Sequence, residues 1–163
     1  MSTTDNNNTI EIFTDGACAG NPGAGGYGVI VARGSVRQEF SGGFRKTTNN
    51  RMELMAAIVG LMEIETPSPV TIFTDSQYVA NGITKGWAKK WRSQGWMRTP
   101  KDPAINPDLW ETLLQLCDRH DVTFQWVRGH AGHPENERCD KLSVAQTQRQ
   151  DLPSDTIYER NSR

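Results

Sequence analysis

The chain has 163 residues, of which 36% are hydrophobic and 23% are charged. This length is typical of one domain, and the composition excludes intrinsic disorder. The formal net charge of -1 excludes a chain that is basic throughout, and no stretch approaches the roughly 18 apolar residues that a membrane helix needs. We therefore expect a cytoplasmic protein without membrane segments, whose three distant cysteines are reduced thiols.

Three strands are predicted at the start of the chain, after a flexible tail of residues 1–8. Residues 10–14 form the first strand, residues 16–26 a glycine-rich loop, and residues 26–33 and 36–44 two strands joined by a turn at Gly34 and Ser35. The loop contains a GxGxxG pattern, but the pattern leads into a strand rather than a helix, which excludes a dinucleotide site. The three strands are expected to form an antiparallel meander.

A strand, a helix and another strand follow in turn. Apolar residues at helical spacing predict a helix from Asn49 to about Glu65, which Thr47, Thr48 or Asn49 is able to cap. Two prolines then precede a short apolar strand over residues 70–74, and a helix starts at about Ser76. This order predicts a parallel crossover.

The last predicted elements complete a mixed sheet with helices on its faces. Asn106, Pro107 and Asp108 have the order of a helix cap, a first-turn proline and a first-turn acid. That helix ends near Arg119, a strand covers residues 122–126, and a final helix opens at residues 133–135. The working domain is therefore predicted to span residues 9–150, and residues 151–163 are expected to be a loosely held tail.

Residues 85–101, here called the basic segment, contain six Lys or Arg residues and no acid. Three of the five tryptophans, Trp87, Trp91 and Trp96, lie among these cations. Such a segment on an acidic body indicates a polyanionic partner. An amphipathic helix with Trp87 and Trp91 facing the core and solvated lysines explains the same pattern, and the two interpretations are compatible.

The same four residues, IFTD, end two predicted strands and place Asp15 and Asp75 at the strand ends. Ligands of such sheets bind beyond the carboxyl ends of the strands, so parallel pairing brings the two carboxylates together. Close carboxylates repel each other unless they are protonated or bridged by a cation. The alternatives are a helix cap for Asp75 and a turn residue for Asp15.

Glu53 and Asp140 are acids on predicted helices without a cation three or four residues away. A solvated face or a distant ion pair explains each of them alone. Together with Asp15 and Asp75 they form an oxygen-only set that suits Mg²⁺ or Mn²⁺, whereas the histidine and cysteine spacings do not suit zinc.

Four motifs in order resemble bacterial type I ribonuclease H: TDGACAGNPGAGGYG from residue 14, TTNNRMELMAA from 47, TDSQYV from 74 and VRGHAGHPENERCD from 127. The resemblance implies an α/β ribonuclease H-like fold with a five-stranded mixed sheet flanked by helices. It also implies a monomeric endonuclease that hydrolyses the RNA strand of RNA–DNA hybrids and leaves 5′-phosphate and 3′-hydroxyl ends. Two Mg²⁺ ions are then expected at Asp15, Glu53, Asp75 and Asp140, with His130 relaying protons or aiding product release.

The same resemblance implies a substrate surface. Asn21, Asn49, Asn50 and Gln77 match residues that face the minor groove of the hybrid, and Thr48 and Asn106 match a pocket for a DNA phosphate. The basic segment corresponds to a substrate-binding region of the family, here with Lys89, Lys90 and Arg92, although Ser93, Gln94 and Met97 interrupt its cations. The rivals are a resolvase-like or transposase-like nuclease of the same superfold and a non-catalytic hybrid-binding module, which is expected to lack one of the carboxylates.

Overall fold

A computed structural model describes residues 9–129 and 132–161. The strands of one sheet lie in the order β3-β2-β1-β4-β5. The first three strands pair antiparallel, whereas β4 pairs parallel with both β1 and β5. The predicted five-stranded mixed sheet is therefore confirmed. The strands are β1 (Ile10–Ala19), β2 (Gly23–Arg33), β3 (Val36–Thr47), β4 (Pro69–Thr74) and β5 (Asp121–Trp126).

Helices cover both faces of this sheet. Successive residues of its central strands point to opposite sides, and apolar side chains on both sides are buried by helices. Ile12 of β1 packs into the larger apolar core, whereas its neighbour Phe13 packs on the other side with Cys139. In the described parts of the chain, no helix combines the length and apolar character needed to cross a membrane. The helices are α1 (Asn49–Met62), α2 (Gln77–Thr84), α3 (Trp87–Ser93), α4 (Pro107–Arg119), α5 (Pro134–Thr147) and α6 (Thr156–Asn161).

The glycine-rich stretch is mostly strand, whereas the sequence predicted a loop over residues 16–26. The physical reason is close packing by helices on both faces of the sheet. A Cβ on Gly16 would lie 2.7 Å from the backbone nitrogen of Glu53 in α1. A Cβ on Gly28 would lie 2.3 Å from the carbonyl oxygen of Cys139 in α5. These glycines therefore let two helices approach the strands closely.

The segment after α5 packs against the domain, which differs from the expectation of a loosely held tail over residues 151–163. Leu152 and Asp155 are buried. The backbone N–H of Arg45 donates to the carbonyl of Pro153 at 2.8 Å, and α6 follows. The contacts that hold this segment come from residues about 100 positions earlier, so a search for local periodicity does not find them.

Two helix starts differ from each other in how they are capped. Thr48 caps α1 by accepting the N–H of Arg51, as one of the expected options. Asn106 lies in the left-handed region at φ 60° and makes no side-chain capping bond to α4, which corrects its predicted role as a cap. Its amide is instead engaged by side chains from other helices.

Candidate active site

Asp15 and Asp75 lie side by side because their strands run parallel. Phe13 of β1 is in register with Phe73 of β4, and each aspartate lies two residues further along its strand direction. The capping alternative for Asp75 is wrong, since Ser76 is the N-cap of α2 and accepts the N–H of Val79. Asp75 is therefore not the N-cap of α2.

Glu53 brings a third carboxylate to the same place from α1. One carboxylate oxygen from each of Asp15, Glu53 and Asp75 lies within 4.8 Å of the other two. Glu53 is only 5% exposed although it carries a potential charge. Because α1 lies close to Gly16, the residue after Asp15, the carboxylate of Glu53 lies near that of Asp15. Glu53 therefore lies with Asp15 and Asp75, the two acids that parallel strand pairing was expected to bring together.

Asp140, on α5, is the fourth carboxylate near Asp15. It lines the same small cleft as Asp15 and Asp75, and its charge contributes to raising the pKa of Asp15. Arg138, its neighbour in sequence, points elsewhere and pairs with Glu39 at 2.7 Å. The structure therefore brings together all four carboxylates that the sequence singled out.

The electrostatics of this cluster disfavour four bare charges. Burial and then the charge of Asp75 raise the pKa of Asp15 to about 8. Burial and the neighbouring aspartates raise the pKa of Glu53 well above its ordinary value. Oε1 of Glu53 is buried and receives no hydrogen bond from the described residues. A buried carboxylate oxygen without a donor, within an oxygen-only set, fits a hard divalent cation.

His130 was predicted to take part in the chemistry, but it lies outside the described residues. His133, the other histidine of that loop, is exposed and precedes α5 without a side-chain capping bond. The proposed role of His130 therefore remains a prediction.

The residues predicted to face the substrate lie at three helix starts and one strand turn. Asn21, between β1 and β2, accepts the N–H of Asn49 at 3.1 Å, which joins two of them directly. Asn50 and Gln77 are exposed in the first turns of α1 and α2. Thr48 caps α1, and Asn106 is 9% exposed before α4. Their contacts with a substrate stay predictions.

The basic segment has exposed cations and a tryptophan packed against the core, and its contact with a polyanionic partner stays a prediction. Lys89 and Lys90 on α3 are exposed. Trp91 packs edge-on against Trp110 with a centroid distance of 6.2 Å, whereas Trp87 is 41% exposed, so only one of these two expected core contacts forms. Arg92 is partly engaged by Asp118 at 3.5 Å and by Glu111 at 3.8 Å.

Sequence reasoning missed a buried ion-pair network around Arg51. Its guanidinium donates two hydrogen bonds to Asp108 and two to Asp155, at 2.7 to 3.0 Å. Asp155 also accepts the hydroxyl of Thr47 at 2.7 Å. The sequence indicated that Arg51 needs a partner, because Arg51 is a charged residue in the same apolar helix as Glu53, but it did not indicate that the partners are Asp108 and Asp155.

Asp108→Asn tests this network through its pH dependence. Burial raises the pKa of Asp108, but the hydrogen bonds and charge of Arg51 outweigh it and lower the pKa below 3.8. The stabilisation is therefore present at neutral pH and is lost as the pH falls through that lowered pKa. We expect the free energy of unfolding of the variant to be lower by about 1–3 kcal/mol at pH 7, and this difference from the unchanged protein to become smaller towards pH 3. Urea unfolding of both proteins measures the difference, and a difference that does not change with pH contradicts the prediction.

Comparison with known proteins gives consistent matches. The family model "RNase H" matches residues 7–148. A relative named Ribonuclease H, from Desulforamulus reducens, is 61% identical over 157 residues, which cover 95% of this chain and 99% of the relative.

Two solved structures resemble the chain. LC9-RNase H1, described as a type 1 RNase H with the type 2 active-site motif, is 34% identical with a TM-score of 0.75, and the match covers 95% of this chain and 81% of that one. LC11-RNase H1, solved in complex with an RNA/DNA hybrid, is 22% identical with a TM-score of 0.61 over 83% of this chain and 94% of that one. This second likeness concerns the fold alone.

Proposed function

Because this chain belongs to the ribonuclease H family, we propose that it is an endonuclease that hydrolyses the RNA strand of RNA–DNA hybrids. The observation that carries the proposal is the cluster of three carboxylate oxygens within 4.8 Å, with Asp140 beside it. The presence of all four carboxylates argues against a non-catalytic binding module, which is expected to lack one of them. The polar residues at the helix starts favour a hybrid over the duplex DNA on which the resolvase-like rivals act, because a hybrid displays 2′-hydroxyls in its minor groove.

Asp15, Glu53, Asp75 and Asp140 are the proposed ligands of two Mg²⁺ ions, and Mn²⁺ suits the same oxygens. When bound, such ions lower the pKa of the attacking water and stabilise the departing 3′ oxygen, which yields 5′-phosphate and 3′-hydroxyl ends. Asp15 belongs to the cluster with Glu53 and Asp75 and also interacts with Asp140, which supports a role as the ligand shared by both ions.

The chain's polar surface is proposed to bind and orient the substrate. Asn49 and Asn21 are already joined by a hydrogen bond, so they present one preorganised edge to the minor groove. We propose that Asn50 and Gln77 extend this edge, and that Thr48 and Asn106 hold a phosphate of the DNA strand. Preorganised contacts of this kind place the scissile bond at the carboxylates.

A gel assay tests the function directly. We expect the protein to cut the 5′-labelled RNA strand of a hybrid with Mg²⁺ or Mn²⁺, and to leave it intact with a chelator. Single-stranded RNA and duplex DNA are the matched controls. Cleavage of duplex DNA at a comparable rate favours the resolvase-like rival, and binding of hybrid without cleavage favours the binding module.

His130→Ala is expected to slow turnover by about 10- to 1,000-fold without abolishing it, which is the scale of lost proton-transfer assistance. Because His130 is not among the proposed ligands, Mg²⁺ affinity measured by calorimetry is expected to stay unchanged. Loss of Mg²⁺ binding in this variant assigns His130 to the metal instead.

Changing Lys89, Lys90 and Arg92 together to Ala tests the basic segment. Each lost phosphate contact flattens the slope of log K against log salt by about 0.9 on duplex DNA, so we expect a change of one to three units. The exposed lysines carry most of this effect, because Arg92 already contacts two acids. KM is expected to rise with kcat at saturation unchanged, since these residues lie outside the carboxylate cluster. An unchanged salt slope rejects the segment as a substrate contact.

We also propose that the protein acts as a monomer in the cytoplasm. The three cysteines are free thiols, as in proteins of a reducing compartment. Light scattering at micromolar concentration measures the oligomeric state.

A further inference from the structure

Asn106 occupies a position that only a few residue types adopt. Its backbone lies in the left-handed region at φ 60°, which Asn and Gly tolerate best, and its side chain is 9% exposed. Its amide is fixed from two directions: Oδ1 accepts a hydrogen bond from Nη1 of Arg51, and Nδ2 donates one to the hydroxyl of Tyr78, both at 3.2 Å.

The Arg51 contact decides which way this amide faces. A guanidinium has donors and no acceptor, so the atom of Asn106 that meets it must be the oxygen. The NH₂ group is then turned to the other side, where one of its two hydrogens reaches Tyr78. Tyr78 also accepts the indole N–H of Trp110 at 2.9 Å, which holds the phenol in place. The second N–H of Asn106 makes no hydrogen bond with the described residues and is a donor available to an anion.

Arg51 is in turn held by carboxylates on both sides. Asp108, two residues after Asn106, takes the two terminal nitrogens, and Asp155 takes Nε and Nη2. With five donors in a rigid plane and 4% of its side chain exposed, this guanidinium has one orientation. The network therefore connects the segment after α5, the start of α1 and the start of α4.

We propose that Arg51 is a positioning residue, which keeps the second N–H of the Asn106 amide directed at a phosphate of the substrate, and that Asp155 holds Arg51 in that orientation. This inference rests on the proposed function, because the phosphate belongs to the bound hybrid. It gives the segment after α5 a part in substrate affinity, although none of its side chains is proposed to touch the nucleic acid.

The test is a double-mutant cycle on KM between Arg51→Lys and Asn106→Gly. Glycine removes the amide, adopts the same φ and introduces no charge. Lysine keeps the positive charge but not the planar donors that fix the amide. We expect each single change to raise KM about tenfold, the scale of one hydrogen bond to a charged group, with kcat within twofold. The double variant is expected to show no further rise, because Arg51 acts through Asn106.

A merely structural role gives a different result. Arg51→Lys would then raise KM by the same factor with and without the Asn106 side chain, and that result overturns the proposal. If Arg51→Lys does not fold, Asp155→Asn replaces it in the test. We expect Asp155→Asn to raise KM at least about threefold in the unchanged protein and not to raise it further in the Asn106→Gly variant.

Glu159→Gln is the matched control. Glu159 ties the same segment to the domain through an exposed pair with Arg45 at 2.9 Å, without contacting Arg51 or Asn106. We expect its KM to equal that of the unchanged protein, and a rise like that of Asp155→Asn overturns the proposal. Cleavage by the unchanged protein is measured first, so that failure of the proposed function is distinguished from failure of this inference.

Discussion

Asp15→Asn is expected to lower cleavage of the hybrid by more than about 1,000-fold while the fold is retained. The amide keeps the shape of the side chain but removes a negative charge from a carboxylate that lies in the cluster with Glu53 and Asp75 and also interacts with Asp140. If Asp15 is shared by two ions, both lose a ligand, and the several kcal/mol that such ions contribute to transition-state stabilisation are lost.

Gel assays with Mg²⁺ measure this loss, and circular dichroism checks the fold. Asp121→Asn, which changes an exposed acid at the other end of the sheet, is the matched control and should cleave normally. Binding of hybrid, followed by fluorescence anisotropy in the presence of a chelator, is expected to survive in Asp15→Asn. Activity above a few per cent of the unchanged protein contradicts the two-metal assignment.

Gly28→Ala is expected to have the second largest effect, on stability and on turnover together. The added Cβ would lie 2.3 Å from the carbonyl oxygen of Cys139 and 2.8 Å from Cβ of Leu142, so α5 must move away from β2. Overpacking of this kind costs about 1–3 kcal/mol. Gly28 opposes Asp15 in the sheet and Cys139 precedes Asp140, so the shift also separates two carboxylates. A displacement near 1 Å lowers kcat by about 100-fold.

Urea unfolding and kcat at saturating hybrid measure the two effects of Gly28→Ala. Gly86→Ala is the control for adding a methyl group to a glycine, since nothing lies within 4 Å of its Cβ and only its φ of +74° opposes the change. We expect Gly86→Ala to cost about 1 kcal/mol and to leave kcat unchanged. Unaltered turnover in Gly28→Ala contradicts the view that this contact places Asp140.

The carboxylate cluster was predictable from a repeated motif, the order of the elements and local charge patterns. The repeated IFTD ends two strands, and the chain order of strand, helix and strand predicts a parallel crossover, which places both strand ends at one edge of the sheet. Glu53 and Asp140 stood out because no cation lies at helical spacing from either of them. The inferences on Glu53 and Asp140 use residues within four positions of each acid, and the inference on Asp15 and Asp75 uses a repeated motif and the order of the elements, all of which a single sequence contains.

Three features were not predictable in this way: the packing role of the glycines, the partners of Arg51 and the docking of the segment after α5. Whether Gly28 makes a turn or admits a helix depends on α5, which lies more than 100 residues further along the chain. Asp155 is likewise 104 positions from Arg51, so neither residue carries a local sign of its partner. The tryptophans of the basic segment were partly predictable. Helical spacing indicates that a tryptophan packs against the core, but it does not tell whether Trp87 or Trp91 does so.

The position of Asp140 on α5 has a consequence for the order in which the protein becomes active during synthesis. The ribosome makes Asp15, Glu53 and Asp75 early, and strands β1 to β4 with α1 are complete before α5 has been translated. A nascent chain at that stage carries three of the four proposed ligands and the polar edge around Asn49. A product of interrupted translation that stops between Gln77 and Asp140 is thus expected to retain hybrid-binding residues without an intact nuclease centre.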